Sequence, residues 1–248
     1  MEPQLKPVPI DNGQPAWRQP PQSGQSGATA VTGEDQKTVL RNTYWLLALS
    51  MLPTIAGAWI GTSMNFGAMF KTSPIMAPLL MFGAMFGMLF VVSALRNSSW
   101  GVLAIFGFTF VSGVMLAPIL QFAAQVRNGG QLVALAGGMT AAVFFVMATI
   151  ATVSKRDFSF LGKFLFVGLI LLIVASLANL FLHIPALTVT VSAIAVLIFS
   201  AYLLHDVSSI VRGGQNNYIM ATLALFLDIY NIFINILNLL LIFSGQRD

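Results

Sequence analysis

The sequence contains no cysteine among its 248 residues and only two histidines. The absence of cysteine excludes structural disulfides, thiol catalysis and cysteine-ligated zinc. Charged residues are also scarce, at 8%, whereas ordinary soluble domains carry about 25%. Apolar residues make up 57% of the chain and its mean hydropathy is +0.84. Since so apolar a surface cannot all face water, the composition indicates an integral membrane protein.

The N-terminal segment, residues 1–38, differs in composition from everything that follows it. It holds six prolines set among Gln, Gly and Ser, and it contains no apolar run. Such a segment cannot bury enough apolar surface to offset the conformational entropy that folding removes. We predict that residues 1–38 form a disordered cytoplasmic tail and that residues 39–248 form a transmembrane domain.

Seven apolar runs follow the tail. Each is about 20 residues long, enough to cross ~30 Å of hydrocarbon at about 1.5 Å per residue. The runs lack the apolar–polar alternation of membrane β-strands. We therefore predict an all-α, polytopic bundle of seven transmembrane helices. The predicted helices are Tyr44–Ser63, Ile75–Leu95, Trp100–Phe122, Leu132–Val153, Phe160–Leu182, Ala186–Leu204 and Tyr218–Phe243.

Lysine and arginine divide unevenly between the two sets of connecting segments. One set holds Lys37, Arg41, Arg96, Lys155, Arg156, Lys163 and Arg212, and the other holds Lys71, Arg127 and Arg247. The positive-inside rule then predicts a cytoplasmic N-terminus and an external C-terminus. The basic residues are dispersed singly, which argues against nucleic acid as a partner. We expect the last helix to be the least hydrophobic, which leaves a re-entrant segment as an alternative to a span.

Two pairs of glycines lie four residues apart, Gly57 with Gly61 and Gly83 with Gly87. Such pairs let helix backbones approach closely. We expect both pairs to pack within the monomer in preference to forming a dimer interface. The sequence does not give the oligomeric state.

Asp206 and Asp228 are the only acidic residues associated with the predicted helices. A charge at the bilayer centre costs about 3 kcal/mol on insertion scales, so such residues usually face the bundle interior and mark ion or proton pathways. Asp228 begins a stripe with Asn231, Asn235 and Asn238, spaced three, four and three along the last helix. That spacing places all four on one helix face, which must contact other helices or water rather than lipid.

These residues support two interpretations. In the first, Asp206 and Asp228 share a proton and act as a pH sensor. Their oxygens, together with those of the asparagines, are suitable ligands for Ca²⁺, either as a bound ion or as a permeant ion. In the second, the stripe only forms hydrogen bonds that hold helices together. Arg212, Arg96 and His205 are candidate charge partners that would make Asp206 part of a static pair.

No catalytic motif accompanies these residues. The sequence has no H-E-x-x-H, no P-loop, no G-x-S-x-G and no dinucleotide fingerprint. We predict that the protein is not an enzyme, and we expect no cofactor apart from Ca²⁺ as a permeant ion.

Several segments resemble the Bax inhibitor-1 family, and within it the bacterial YccA branch. The principal segment is FSAYLLHDVSSIVRGGQNNYIMATLALFLDIYNIFINILNLL at 199–240, which includes GGQNNYI at 213–219. The others are LRNTYWLLAL at 40–49, FGFTFVSGVMLAPIL at 106–120 and RDFSFLGKFLFVG at 156–168. The resemblance covers about residues 39–248 and leaves the tail outside.

The resemblance implies seven helices with the last one surrounded by the other six. It also implies an inner-membrane protein that modulates the membrane-anchored AAA protease FtsH. Some members of the family act as pH-sensitive Ca²⁺ leak pathways, with an aspartate pair that matches Asp206 and Asp228. This chain lacks the helix-2 glutamate of some leak-type members, because Ile75–Leu95 has no acid. Some YccA-branch members lack one or both aspartates, so the resemblance leaves both functions open.

Overall fold

The computed structural model describes residues 33–64, 72–73, 76–154 and 156–245. Eight helices have their bounds within these residues. They are α1 (Gly33–Ser63), α2 (Met76–Leu95), α3 (Trp100–Met115), α4 (Ala117–Gln125), α5 (Gly129–Val153), α6 (Leu161–Leu182), α7 (Pro185–Val211) and α8 (Tyr218–Gly245). Most of the predicted tail, residues 1–32, lies outside the described residues, while residues 33–38 form the first turns of α1.

The predicted helical membrane bundle is confirmed. Within the described residues, six segments are long and apolar enough to cross a bilayer, with α3 and α4 together counting as one segment, Trp100–Gln125. The remaining predicted segment corresponds to α2, whose apolar part, Leu79–Leu95, is shorter. The first helix begins at Gly33 instead of Tyr44, because the apolar run marks only its membrane-embedded part and the polar turns before it are also helical.

The third predicted helix is interrupted where α3 ends and α4 begins. Leu116 separates the two helices, and its N–H bonds to the carbonyls of Gly113 and Val114. Proline 118 follows in the first turn of α4. Pro118 has no N–H to offer to the residue-114 carbonyl, and its ring crowds that carbonyl, so the regular ladder breaks here.

The last helix, α8, lies at the centre of the bundle, as predicted. No residue of α8 from Tyr218 to Ile242 is exposed. Helix α8 contacts α1, α2, α3, α4, α5 and α7, whereas α6 packs against α7 alone among the described helices. Leu225, Ile232 and Leu237 of α8 are completely buried. With 28 residues, α8 is also long and apolar enough to span. The expectation that it is the least hydrophobic helix is wrong, because α1 is less hydrophobic than α8.

One side of the bundle, here called the N side, carries the start of α1. The side chain of Gln36 in α1 lies against Gly213, in the connection between α7 and α8. In that same connection, Asn217 donates a 2.9 Å hydrogen bond to the carbonyl of Arg96, between α2 and α3. These three parts of the chain therefore meet on the N side.

The opposite side, here called the C side, carries the end of α1. Gln121 of α4 donates hydrogen bonds of 3.0 and 2.6 Å to the carbonyls of Thr62 and Met64. The ends of α1 and α4 therefore meet there. The crossings alternate in direction when α3 and α4, which run the same way, are counted as one, so α8 begins on the N side and ends on the C side.

The two glycine pairs have different surroundings. A Cβ at Gly57 would lie 2.1 Å from the carbonyl oxygen of Phe110, and one at Gly61 would lie 2.9 Å from the Cβ of Ala117. At Gly83 and Gly87 an added Cβ would meet nothing within 4 Å. The expectation that both pairs pack within the monomer is confirmed for the α1 pair and wrong for the α2 pair.

Candidate functional site

Asp228 lies inside the bundle, about 15 Å along α8 from its first residue at ~1.5 Å per residue. Its side chain is buried because α8 is enclosed by other helices, and only 5% of the residue is exposed. The Oδ2 atom is buried and has no hydrogen-bond partner among the described residues. A negative charge here can be compensated only by a proton, a cation or water, since an unpaired buried charge is costly.

Asp206 lies on α7, near its N-side end, and is close enough to Asp228 for the two carboxyl groups to interact electrostatically. Its Oδ1 is 2.8 Å from Nδ1 of His205. The other ring nitrogen of His205 faces α6, where a Cβ at Gly162 would lie 3.0 Å from it. Tyr202, one turn before Asp206, interacts electrostatically with both carboxyl groups. The two aspartates, 22 residues apart in sequence, thus lie on helices that pack against each other, α7 and α8.

Arg212 faces away from this pair and holds the loop between α5 and α6. Its guanidinium donates to Ser208 at 3.3 Å and to the carbonyl of Arg156, and it lies 4.0 Å from Asp157. The hydroxyl and the N–H of Ser159 bond to Asp157 and hold the pKa of Asp157 below its usual value. Arg212 therefore organises a loop on the N side.

Of the three candidate charge partners, only His205 contacts Asp206 among the described residues. Arg96 forms a contact elsewhere on the N side, where its backbone carbonyl accepts a hydrogen bond from Asn217. No described cation therefore neutralises Asp206 or Asp228 directly, apart from His205 when it is protonated.

The three asparagines of the stripe on α8 are half-buried and form two kinds of hydrogen bond, one within α8 and one to another helix. Asn231 donates to the carbonyl of Leu227 at 2.8 Å, and Asn235 donates to the carbonyl of Asn231 at 2.8 Å. Only Asn238 reaches another helix, where it donates to Ser192 of α7 at 2.9 Å. The amide groups of Asn231 and Asn235 therefore do not join helices, which limits the stripe's part in holding the bundle together.

The donor set does not resemble a resident metal site. Within the described residues, no group of three or more His, Cys, Asp or Glu side chains is placed to hold a metal ion. Ca²⁺ takes about six to eight oxygen ligands, more than Asp206 and Asp228 supply. The arrangement can exchange a proton or hold a passing cation that keeps part of its water shell.

Asn217 has a structural role that the sequence reading missed. Its Oδ1 accepts hydrogen bonds from the N–H groups of Ile219 and Met220 at 3.0 and 3.1 Å. Its Nδ2 donates to Arg96 and to Oδ1 of Asn97. An asparagine immediately before an apolar helix is a recognised capping signal and could have identified this residue.

Comparison with known proteins decides the family. Residues 36–245 match a family model described as an inhibitor of apoptosis-promoting Bax1. The chain belongs to the Bax inhibitor-1 family. The match includes both Asp206 and Asp228 and runs from the first turns of α1 to the end of α8, so the resemblance inferred from the sequence is confirmed.

Three of the relatives that this chain matches are bacterial proteins. It is 36% identical to the Modulator of FtsH protease YccA of Escherichia coli K12, over 82% of this chain and 89% of the relative. It is 41% identical to an uncharacterized protein of Neisseria meningitidis serogroup B, over 85% of this chain and 93% of the relative. An uncharacterized membrane protein of Vibrio cholerae is 38% identical, over 84% of this chain and 91% of the relative. The chain is therefore a membrane protein similar to YccA-type modulators.

Proposed function

We propose that this protein acts in the bacterial inner membrane as a modulator of an FtsH-type protease. The observation that carries the proposal is the 36% identity to the Modulator of FtsH protease YccA over 82% of this chain and 89% of that protein. A second YccA sequence, from another Escherichia coli strain, is named an inner membrane protein. The proposed role is that of an interaction partner and not of an enzyme.

The proposed orientation has the N side in the cytoplasm. The described cations of the N side are Lys37, Arg41, Arg96, Arg156, Lys163 and Arg212, whereas Arg127 is on the C side. Basic residues near helix ends favour the cytoplasmic side of a membrane. This orientation places residues 1–32 in the compartment where an AAA protease engages its substrates, and it places the C-terminus outside.

The outer helices offer a surface to a partner within the membrane. Helix α6 has only two buried residues, Leu165 and Leu172, and within the described part of the chain it packs on α7 alone. Large apolar side chains such as Phe164 and Phe181 are exposed along it. Lipid covers such a face in the absence of a partner, so a transmembrane helix of the protease can replace lipid there without exposing apolar surface to water.

Co-purification of FtsH with the full-length chain tests the proposal, with a variant lacking residues 2–32 beside it. The truncation stops before Gly33 so that α1 stays intact. We expect FtsH to co-purify with the full-length chain, and we expect the truncated chain to bind FtsH while altering substrate degradation less. An unrelated polytopic protein expressed to the same level is the control. Absence of association for the full-length chain would refute the proposal.

A second candidate function, a pH-sensitive Ca²⁺ leak, is supported by the buried Oδ2 of Asp228, which has no hydrogen-bond partner in the described part of the chain. The titratable groups around it are Asp206, His205 and Tyr202, with Asp157 interacting electrostatically with His205. In this proposal a cation passes Asp228 with the asparagine carbonyls nearby, and Asp206 with His205 sets the response to pH.

Ca²⁺ flux into proteoliposomes across a range of pH tests the leak. We expect Asp228→Asn to lower the flux and Asp206→Asn to alter its pH dependence. His183→Asn is the matched control, because His183 is an exposed histidine at the C-side end of α6, away from the carboxyl pair, and asparagine tolerates its left-handed backbone conformation. Flux equal to that of empty vesicles, or no effect of either buried-site variant, would exclude this function.

A further inference from the structure

A groove of about 820 Å³ runs along the bundle between α1 and α5, with α8 as its floor. We call it the α1–α5 groove. Helices α1 and α5 flank it without packing against each other. Its lining includes Ala48 and Ile55 of α1, Ala141 and Ala148 of α5, and Ile229 and Phe233 of α8. Because the two flanking helices do not meet, the groove gives the bilayer access to the central helix.

The threonine hydroxyls in the α1–α5 groove are already hydrogen-bonded, as is that of Tyr230, whereas the buried hydroxyl of Tyr44 has no partner among the described residues. Thr54, Thr140, Thr149 and Thr152 each donate to a carbonyl one turn earlier in their own helix, at 2.7 to 2.8 Å. The groove therefore offers hydrocarbon surface and leaves these donors satisfied. An apolar occupant fits it better than a polar substrate does.

The α1–α5 groove extends far along the bundle. On α5 the lining runs from Gly137 to Thr152, about 22 Å at 1.5 Å per residue, which is a large part of the ~30 Å of hydrocarbon in a bilayer. The hydrocarbon chains of a lipid can therefore lie along it.

Positive charge lies at the N-side end of both flanking helices. Lys37, Arg41, Tyr44 and Ala48 are spaced four, three and four along α1, which places the two exposed cations on the helix face that lines the groove. Across the groove, Arg156 follows the end of α5 closely and is also exposed. An apolar surface with cations at one end complements an anionic phospholipid, because the acyl chains are apolar and the negatively charged phosphate lies at one end of them.

We propose that the α1–α5 groove binds an anionic glycerophospholipid of the N-side leaflet. Its acyl chains lie against Ala48, Ala148 and the floor formed by α8, and its phosphate lies near Lys37 and Arg41. This site is separate from the carboxyl pair and does not depend on the proposed protease partner. The bound lipid completes the packing of α8 where no helix covers it.

Native mass spectrometry of the full chain tests this site. The protein is extracted from membranes holding equal amounts of phosphatidylglycerol and phosphatidylcholine with matched acyl chains. We expect the retained lipid to be enriched in phosphatidylglycerol. The double variant Lys37→Gln, Arg41→Gln should reduce the enrichment by about fivefold for each charge removed. Lys163→Gln is the matched control, because Lys163 is an exposed N-side cation on α6, which contacts neither α1 nor α5.

A second variant tests the groove itself. Ala148→Phe fills it and should remove the retained lipid, while Gly83→Leu adds a similar side chain on a face of α2 that meets open space and should leave retention unchanged. The charge variants keep the test valid if Ala148→Phe fails to fold, because both cations are exposed. Equal retention of the two lipids, or enrichment unaffected by the charge variants, would overturn the proposal. The proposal would also be overturned if Ala148→Phe lost a protein partner while its lipid retention stayed unchanged, because the groove would then be the site of a partner helix.

Discussion

The hydroxyl of Tyr230 on α8 donates a 3.0 Å hydrogen bond to the backbone carbonyl of Ser112 on α3. This bond joins the central helix to one of its neighbours inside the bundle. Tyr44 on α1 contrasts with it, since its hydroxyl is buried without a hydrogen-bond partner among the described residues. The ring of Tyr44 instead packs edge-on against Phe144, with centroids 6.0 Å apart. The two tyrosines therefore contribute differently to stability.

The first prediction compares Tyr230→Phe with Tyr44→Phe. Loss of the Tyr230 bond leaves the buried carbonyl of Ser112 with one hydrogen bond fewer. The free energy of unfolding should therefore fall by about 1 kcal/mol. Removal of the Tyr44 hydroxyl takes away an unsatisfied donor, so stability should be unchanged or higher. Thermal unfolding of both variants in the same detergent measures the difference. A larger loss for Tyr44→Phe than for Tyr230→Phe would contradict the structure.

The second prediction concerns the glycines of α1 and α2. In Gly57→Ala the new Cβ would meet the backbone carbonyl of Phe110, which cannot rotate away, so the cost should be about 1–3 kcal/mol. Gly83→Ala is the matched control, because its Cβ meets open space and alanine is the better helix former. Melting temperatures of the two variants check this. Equal effects would show that α1 and α3 are not in close contact.

The third prediction concerns the cap of α8. Asn217→Ala removes the acceptor for two N–H groups of the helix and the two bonds to residues 96 and 97. We expect a loss of about 1–2 kcal/mol, at the upper end for a capping residue. The neighbouring Asn216 is exposed, so Asn216→Ala should change stability little. Unfolding measurements on the pair decide this, and a similar loss in both would exclude a capping role for Asn217.

The fourth prediction separates the two interpretations of Asp228. If its carboxyl group serves ion passage, Asp228→Asn should keep or increase stability, because an unpaired buried group that can carry charge is replaced by a neutral one. Asn238→Ala should lower stability, because it breaks the 2.9 Å bond between α8 and α7. Unfolding of both variants, recorded together with Ca²⁺ flux, provides the comparison. Lower stability of Asp228→Asn with unchanged flux would assign Asp228 to helix packing.

Much of the fold followed from the sequence because the bilayer fixes the length of each apolar run. The central position of α8 was implied by the resemblance, and it also agrees with Asp228 and the asparagines, which cannot face lipid. The break at Leu116 was missed because the apolar run continues through Pro118 without interruption. The polar start of α1 was missed because hydropathy marks where a helix is embedded and not where it begins.

The site was less predictable than the fold. The sequence singled out Asp206 and Asp228 as the acids of the bundle, but their proximity depends on how α7 packs on α8. Arg212 and His205 were equivalent candidates by position, and only the loop from 154 to 160 explains why Arg212 faces Asp157. The α1–α5 groove could not be predicted, since it arises from a gap between helices distant in sequence.

The central claim is that this member of the Bax inhibitor-1 family modulates an FtsH-type protease. The most direct test measures the rate at which FtsH degrades a membrane-protein substrate in proteoliposomes, with and without the purified chain. An unrelated polytopic protein added at the same ratio is the control for crowding of the bilayer. The account predicts that the chain changes the degradation rate as its amount increases, while the control has no effect. A rate that is the same at every ratio would contradict it.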